Sequence, residues 1–217
     1  PTVPPTSLAQ SVETFAHLTQ SLTDADLDRA WAWGDYESEG VRFAFFRVYE
    51  ELRTLAVQLA HLSASSGRPP SSAKRILALY HAAYRDLQAA LLGVPAELFD
   101  YPPAEGEWPI RRVLKHILSA DAAFFAVITH AMNQLRSGES KPAGLTQAAY
   151  DAILGIDEAQ EEAILTGPFA PFQAFHAALH GRILRELAGI SEQEIDLPSI
   201  FWESYPMSLR FRLHRFD

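Results

Sequence analysis

The sequence predicts an all-α protein, an up-down four-helix bundle preceded by an extra N-terminal helical hairpin. Long stretches repeat their apolar residues at three- and four-residue steps, which is the spacing of one face of an α-helix. Gly, Pro and Ser cluster between these stretches, where they end helices and begin loops. No alternating run of β-branched residues between turn residues predicts paired strands. Helices are therefore expected throughout the chain.

Three long helices contain most of the periodic apolar positions. The spacing predicts helices over residues 41–62 and 73–92. Pro109 predicts the start of a third helix that runs to about Leu135, because a proline in the first turn removes no helical hydrogen bond. The Ser- and Pro-rich residues 63–72 between the first two helices predict a linker.

Shorter helices are predicted in the rest of the chain. One covers residues 146–154, and the aspartate that begins residues 157–165 is expected to cap a helical turn there. A proline is predicted to open a helix over residues 171–187. Residues 207–217 have the pattern of the first turns of a last helix.

These helices predict two domains. Residues 1–66 form a hairpin that resembles half a bundle, and residues 73–217 form a four-helix bundle whose last helix is incomplete. Three linkers share one plan, in which acidic residues and a Trp precede an aliphatic residue and an Arg. The tryptophans are Trp31 with Trp33, Trp108 and Trp202, and the arginines are Arg42, Arg111 and Arg210. The plan predicts an internal repeat in which each Arg caps its helix or pairs with a linker carboxylate. The alternative is a chance match, because acidic linkers and tryptophans are common in helical proteins.

The composition is that of an ordinary globular protein, with 48% hydrophobic and 21% charged residues among 217. A net charge of −9 disfavours nucleic acid as a partner, because an acidic surface repels phosphates. Arg210, Arg212 and Arg215 fit a solvated helix face better than a binding patch. Cysteine is absent, which excludes disulfides and thiolate catalysis and fits a reducing compartment. Residues 1–7 lack a signal-peptide pattern, and no apolar run approaches about 20 residues, so a cytoplasmic protein without a membrane partner is expected.

Three histidines are the candidate metal ligands. His116 belongs to an apolar stripe of the third long helix and is expected to face the bundle interior. His176 and His180 are four residues apart, so both imidazoles project from one helix face and could share a metal ion. The alternatives are a hydrogen-bonded core residue for His116 and a boundary or surface role for the pair.

The segment from Glu107 to Asp121 resembles the signature of the DinB-like helix-bundle superfamily, in which a linker tryptophan precedes a helical histidine by about eight residues. Trp108 and His116 match those two positions. The resemblance covers roughly residues 73–217 and implies that His116 ligates a divalent metal. The superfamily's remaining ligands form an H-x-x-x-H pair on the fourth bundle helix. Here that helix contains His214 without a second histidine after it in residues 1–217, so the pair either lies beyond residue 217 or is absent from this protein.

His176 and His180 have the spacing of that pair, but they lie on the third bundle helix. Arg47 occupies the position of the N-terminal hairpin that matches His116, so no equivalent metal site is expected there. The resemblance implies a bacterial, metal-dependent enzyme with Zn or Ni, either a thiol-dependent transferase or isomerase or a hydrolase, acting on an unknown small molecule. A homodimer is compatible with this prediction. The alternative is a non-catalytic binding or stress-response bundle without a working metal site.

Overall fold

The computed structural model describes residues 7–31, 40–67, 69–139, 142–203 and 205–216. The chain divides into two compact units, residues 1–69 and 70–217. In the described part, regular structure is helical except for one pair of two-residue strands. The predicted all-α class is confirmed.

The N-terminal unit is a helical hairpin that buries very little. Helix α1 (Leu8–Thr19) is followed by the single turn α2 (Asp24–Leu27) and by the long helix α3 (Arg42–Ser65). Neither α2 nor α3 contains a buried residue. The rings of Phe15 and Phe45 meet edge to face with their centroids 5.2 Å apart. Helices α1 and α3 also line an apolar groove of about 380 Å³, formed by Leu8, Ser11, Val12, Phe15, Val48, Glu51, Leu52 and Leu55.

In its described residues, the C-terminal unit contains six further helices. They are α4 (Ser72–Ala90), α5 (Ile110–Arg136), α6 (Gln147–Leu154), α7 (Glu158–Thr166), α8 (Phe169–Leu187) and α9 (Leu209–Leu213). A 3-10 turn, Ala96–Leu98, lies in the linker between α4 and α5. Strands β1 (Pro198–Ser199) and β2 (Met207–Ser208) pair in antiparallel register before α9.

Several helix ends differ from the predicted ones. Helix α3 extends to Ser65 and takes up the first residues of the predicted linker. Helix α8 begins at Phe169, because Pro168 is its N-cap, and Pro171 lies inside its first turn. Residues 207–208 form a strand, so the last helix starts at Leu209 and is short. The strand at residues 207–208 and the proline at position 168 therefore determine where these helices begin, and apolar spacing alone predicts those positions only approximately.

The core of the C-terminal unit surrounds α5. Helix α5 packs against α6, α8 and α9, and α4 packs against α8 and α9. The middle of α5 is buried on every side, since Phe124 through Ile128 are all buried. Fully buried side chains from three elements meet there, among them Leu118, Ile183 and Leu213. The predicted four-helix bundle is confirmed, with α4, α5, α8 and α9 as its members.

One buried ion pair attaches the strands to the bundle. Arg212 on α9 is fully buried and donates through both terminal nitrogens to the Glu203 carboxylate, at 2.6 Å each. Its Nε donates to the Ser199 hydroxyl at 3.2 Å. The hydrogen bonds from Arg212 hold the pKa of Glu203 below its usual range. The bidentate geometry thus satisfies a charge that burial would otherwise make costly.

Within the described residues, α5 is also long and apolar enough, by length and composition, to cross a membrane. The relevant window has a mean hydropathy of 1.2, and half of it is buried inside the protein. Core helices of globular proteins pass the same test, so this is weak evidence for a membrane span. The sequence prediction, which found no run of that length, did not anticipate it.

Candidate functional site

A cavity between α4 and α8 is the candidate binding site of the C-terminal unit. Helices α4 and α8 each present residues at i, i+3, i+4 and i+7, which is one continuous helix face. The cavity between them has a volume of about 220 Å³. Its walls are Tyr84, Leu87, Gln88 and Leu91 from the α4 side, Phe169, Phe172, Gln173 and His176 from α8, and Leu92 and Leu114. The cavity is therefore mostly apolar, with a few polar side chains.

A buried polar cluster adjoins the cavity where His176 forms its wall. The Tyr80 hydroxyl donates to Oδ2 of Asp121 at 2.7 Å, and both residues are buried. Nε2 of His176 lies 3.4 Å from the same carboxylate oxygen, but the two atoms are not aligned for a hydrogen bond. Asp121 therefore stands between a phenol on α4 and an imidazole on α8.

His180 extends this cluster toward the surface. Its Nε2 lies 2.9 Å from Nδ1 of the exposed His81, so the two imidazoles share one hydrogen bond. The Tyr84 ring stacks on His180 with the centroids 3.8 Å apart. The same Tyr84 ring meets His176 edge to face at 5.0 Å. Tyr84 therefore fixes the orientation of both helix α8 histidines.

Burial sets the charge state of the cluster. Desolvation is the main cause that lowers the pKa of His180 to about 4, and the nearby His81, His176 and Arg85 add to it. Burial and the Asp121 carboxylate raise the pKa of Tyr80. Near neutral pH, His180 is thus a neutral imidazole and Tyr80 a hydroxyl donor.

Two ring nitrogens in the cluster have no hydrogen-bond partner among the described residues. They are Nε2 of His176 and Nδ1 of His180, and both atoms are buried. A buried polar atom without a partner costs about 1–3 kcal/mol, so each such atom needs an explanation. Thr129, His130 and Gln134 of α5 also have one such atom each, but none of them contributes to the wall of the cavity between α4 and α8. The two unbonded nitrogens, together with the position of His176 at the cavity wall, make the cluster the candidate site of the unit.

His116 lies elsewhere, and the prediction that it faces the interior is wrong. Its side chain is exposed and meets the exposed Trp108 ring edge to face, with the centroids 5.8 Å apart. At 3.6 residues per turn, His116 is about 140° around α5 from the buried Asp121. The core face of this end of α5 runs through Leu114 and Leu118 instead.

The three linker arginines share one contact. Each donates to an aspartate of its own linker, with nitrogen–oxygen distances of 3.1 Å for Arg42–Asp28, 2.6 Å for Arg111–Asp100 and 2.8 Å for Arg210–Asp196. The pairing expected from the shared linker plan is therefore present in all three linkers. Trp33 lies outside the described residues.

The family model of the DinB superfamily matches residues 79–216, which spans the helical unit just described. The chain belongs to the DinB superfamily. No curated protein and no solved structure matches it. Membership confirms the resemblance carried by Trp108 and His116.

The described residues contain no complete ligand group for the metal that is associated with the DinB superfamily. No three His, Asp or Glu side chains in that part of the chain form a group that could hold a metal ion. His116 has an aromatic neighbour rather than further ligands. His180 uses Nε2 for His81, while Nε2 of His176 lies 3.4 Å from the Asp121 carboxylate. The structure places His176 and His180 in one buried cluster, whereas His116 lies on the exposed side of α5.

Sequence reasoning missed the other members of the cluster. Tyr80 and Tyr84 are four residues apart on α4, and Asp121 lies in an otherwise apolar part of α5. An aspartate at a core position needs a buried hydrogen-bond partner. Asp121 was therefore the sequence feature that could have indicated this cluster. The contact with His81 depends on how α4 and α8 pack, which no local pattern reveals.

Proposed function

We propose that this DinB superfamily protein binds a small molecule in the cavity between α4 and α8. The observation that carries the proposal is the buried His176, a polar side chain that contributes to the wall of a mostly apolar cavity and lies 3.4 Å from the Asp121 carboxylate behind it. Binding sites commonly combine apolar walls with a few polar groups that orient the ligand. The ligand class that fits is a compact molecule with an apolar body and one hydroxyl or similar polar group.

The size of the cavity supports a ligand of about one ring. Its volume of about 220 Å³ exceeds the roughly 150 Å³ cavity that accommodates benzene. Drug-sized ligands occupy cavities of roughly 300–1,000 Å³. A substituted benzene therefore matches the space better than a larger ligand does.

A substitution at the cavity wall tests the proposal. Gln173 is an exposed wall residue, so Gln173→Trp should fill the cavity without disturbing the buried core. Ala178→Trp, at an exposed position about 140° around α8, is the matched control. Toluene should shift the methyl resonances of Leu87, Leu91 and Leu114 in the unsubstituted protein and the control, but not in Gln173→Trp. Equal shifts in all three proteins, or none in any, would sink the proposal.

A metal-dependent enzyme with Zn or Ni is the second candidate. It would be a thiol-dependent transferase or isomerase, or a hydrolase. The observation that favours it is the pair of unbonded ring nitrogens on His176 and His180, which are buried and belong to one face of α8. Elemental analysis of the purified protein tests it, together with His176→Ala, His180→Ala and His116→Ala. Stoichiometric metal that the first two variants lose would support it, and protein without metal would refute it.

Other features of this proposal remain predictions from the sequence. They are a bacterial origin, a cytoplasmic location, an internal repeat, a stress-response role for a non-catalytic bundle, and no nucleic-acid or membrane partner. The net charge of −9 supports the exclusion of nucleic acid.

A further inference from the structure

The outer face of α3 has exposed apolar side chains. We define this face by Phe46, Tyr49, Arg53 and Val57, which follow one another at steps of three, four and four residues and so share one side of the helix. Phe46, Tyr49 and Val57 are 70%, 64% and 69% exposed. The groove shared with α1 lies on the opposite side of α3, through Val48, Leu52 and Leu55. A helix on a protein surface normally has polar residues on the side that faces away from its partner helix. Helix α3 instead has apolar residues on that side.

Two charged residues on or beside this face, Glu50 and Arg53, differ in whether they form an ion pair. Glu50 forms an ion pair with Arg47 of its own helix. Arg53 is exposed and has no ion pair within residues 7–31 and 40–67. An unpaired cation at the centre of an apolar face favours a partner that supplies a carboxylate at that point.

We propose that the outer face of α3 is the interface of a homodimer, in which α3 packs antiparallel against α3 of a second copy. The twofold axis passes between residues 51 and 52. That register places Phe46 opposite the second copy's Val57, and Glu50 opposite the second copy's Arg53. Because a twofold interface is isologous, both contacts occur twice, and Phe46 of each copy covers Val57 of the other.

The helical plan of the chain supports a second copy as the occupant. In the C-terminal unit, α4 and α5 bury their apolar faces because α8 and α9 pack against them. The N-terminal hairpin buries no residue of α3. Two hairpins joined through α3 place their four helices in one layer, and α3, at about 36 Å for 24 residues, offers a long helix face to the second copy.

Charge reversal tests both the interface and its register. The full chain should sediment as a dimer at micromolar concentration. Glu50→Arg and Arg53→Glu each place like charges opposite one another, so each should weaken the dimer about tenfold or more. The double variant Glu50→Arg/Arg53→Glu restores opposite charges and should recover the dimer. Lys74→Glu, an exposed reversal in the other unit, is the control and should leave the dimer intact.

Cysteine pairing provides an independent readout, because the chain contains no cysteine. The pair Phe46→Cys/Val57→Cys should form a disulfide-linked dimer on mild oxidation. Within one helix these positions are about 16 Å apart and cannot bond to each other. Phe46→Cys alone should stay unlinked. A monomeric chain, a dimer insensitive to the single reversals, or a double variant that fails to recover would overturn the proposal.

Discussion

The Tyr80 hydroxyl donates a 2.7 Å hydrogen bond to Asp121 inside the core of the bundle, and it links α4 to α5. Both side chains are buried, and the cavity wall residue His176 lies next to the same carboxylate. The bond therefore serves two purposes. It satisfies a carboxylate that burial would otherwise penalise, and it fixes the polar end of the proposed binding site.

Removal of this hydroxyl should be costly. Tyr80→Phe leaves Asp121 buried without its hydrogen-bond donor, so we expect a loss of about 1–3 kcal/mol in the free energy of unfolding. Urea unfolding followed by circular dichroism measures it. Tyr101→Phe removes a hydroxyl from a side chain that is 68% exposed and should change the stability little. If both variants unfold at the same urea concentration as the parent protein, the Tyr80–Asp121 bond does not stabilise the fold.

The depressed pKa of His180 predicts a loss of stability in mild acid. The folded state binds this proton only near pH 4, whereas an unfolded histidine binds it near pH 6.5. Between these values the unfolded state binds more protons, so stability falls as the pH decreases from about 6.5 to 4. His180→Phe, which keeps an aromatic ring next to Tyr84, should flatten this part of the stability profile.

The control for that profile is His17→Phe on the exposed surface of α1. It should keep the parent slope between pH 6.5 and 4. An NMR titration of the His180 ring gives the same information directly. Protonation of His180 near pH 6.5 in the folded protein would contradict the effect of burial described above.

The buried and exposed arginine pairs should differ in their energetic effect. Glu203→Gln removes the charge that compensates the fully buried Arg212, so we expect a loss of about 3–5 kcal/mol. Asp196→Asn acts on the exposed pair with Arg210, where solvent screens the interaction, and should cost much less. Thermal unfolding of both variants compares the two pairs. Similar shifts in melting temperature would show that burial does not strengthen the Arg212 contact.

Gly155 ends α6 in the left-handed region, with φ of 76° and its N–H bonded to Asp151 O at 2.8 Å. An alanine there strains the backbone, so Gly155→Ala should destabilise the protein by about 1–2 kcal/mol. Gly189 has open space around it and no positive φ, so Gly189→Ala should be neutral or slightly stabilising. Equal losses in both variants would argue against a left-handed cap at Gly155.

The existence of most helices followed from the sequence, because apolar spacing and cap residues are local properties. The side chain of Thr146 caps α6 and that of Asp157 caps α7, each by accepting from a backbone N–H three residues later. The helix over residues 169–187 began earlier than predicted, because Pro168 rather than Pro171 precedes its first turn. Tertiary packing determines which of the two prolines precedes the helix, so the sequence alone does not predict this helix end.

The orientation of α5 is where sequence reasoning failed. The middle of α5 is buried on all sides, so a stripe drawn through Phe124 and Val127 is no guide to the core face of the part of the helix that precedes it. Extending that stripe back to His116 assigned an exposed histidine to the interior. The true core face of that part includes Asp121, whose partner Tyr80 is 41 residues away in the chain. Contacts at that separation arise from tertiary packing and have no local signature.

The preference of the cavity for a polar group tests the central claim most directly. Toluene and 4-methylphenol differ by one hydroxyl, and methyl-resonance titrations give a dissociation constant for each. We expect 4-methylphenol to bind about tenfold more tightly, because the hydroxyl can pair with the polar wall at His176. In His176→Leu this preference should disappear while toluene still binds. If the parent protein binds neither probe, or if the variant keeps the full preference for 4-methylphenol, the cavity beside His176 is not the binding site.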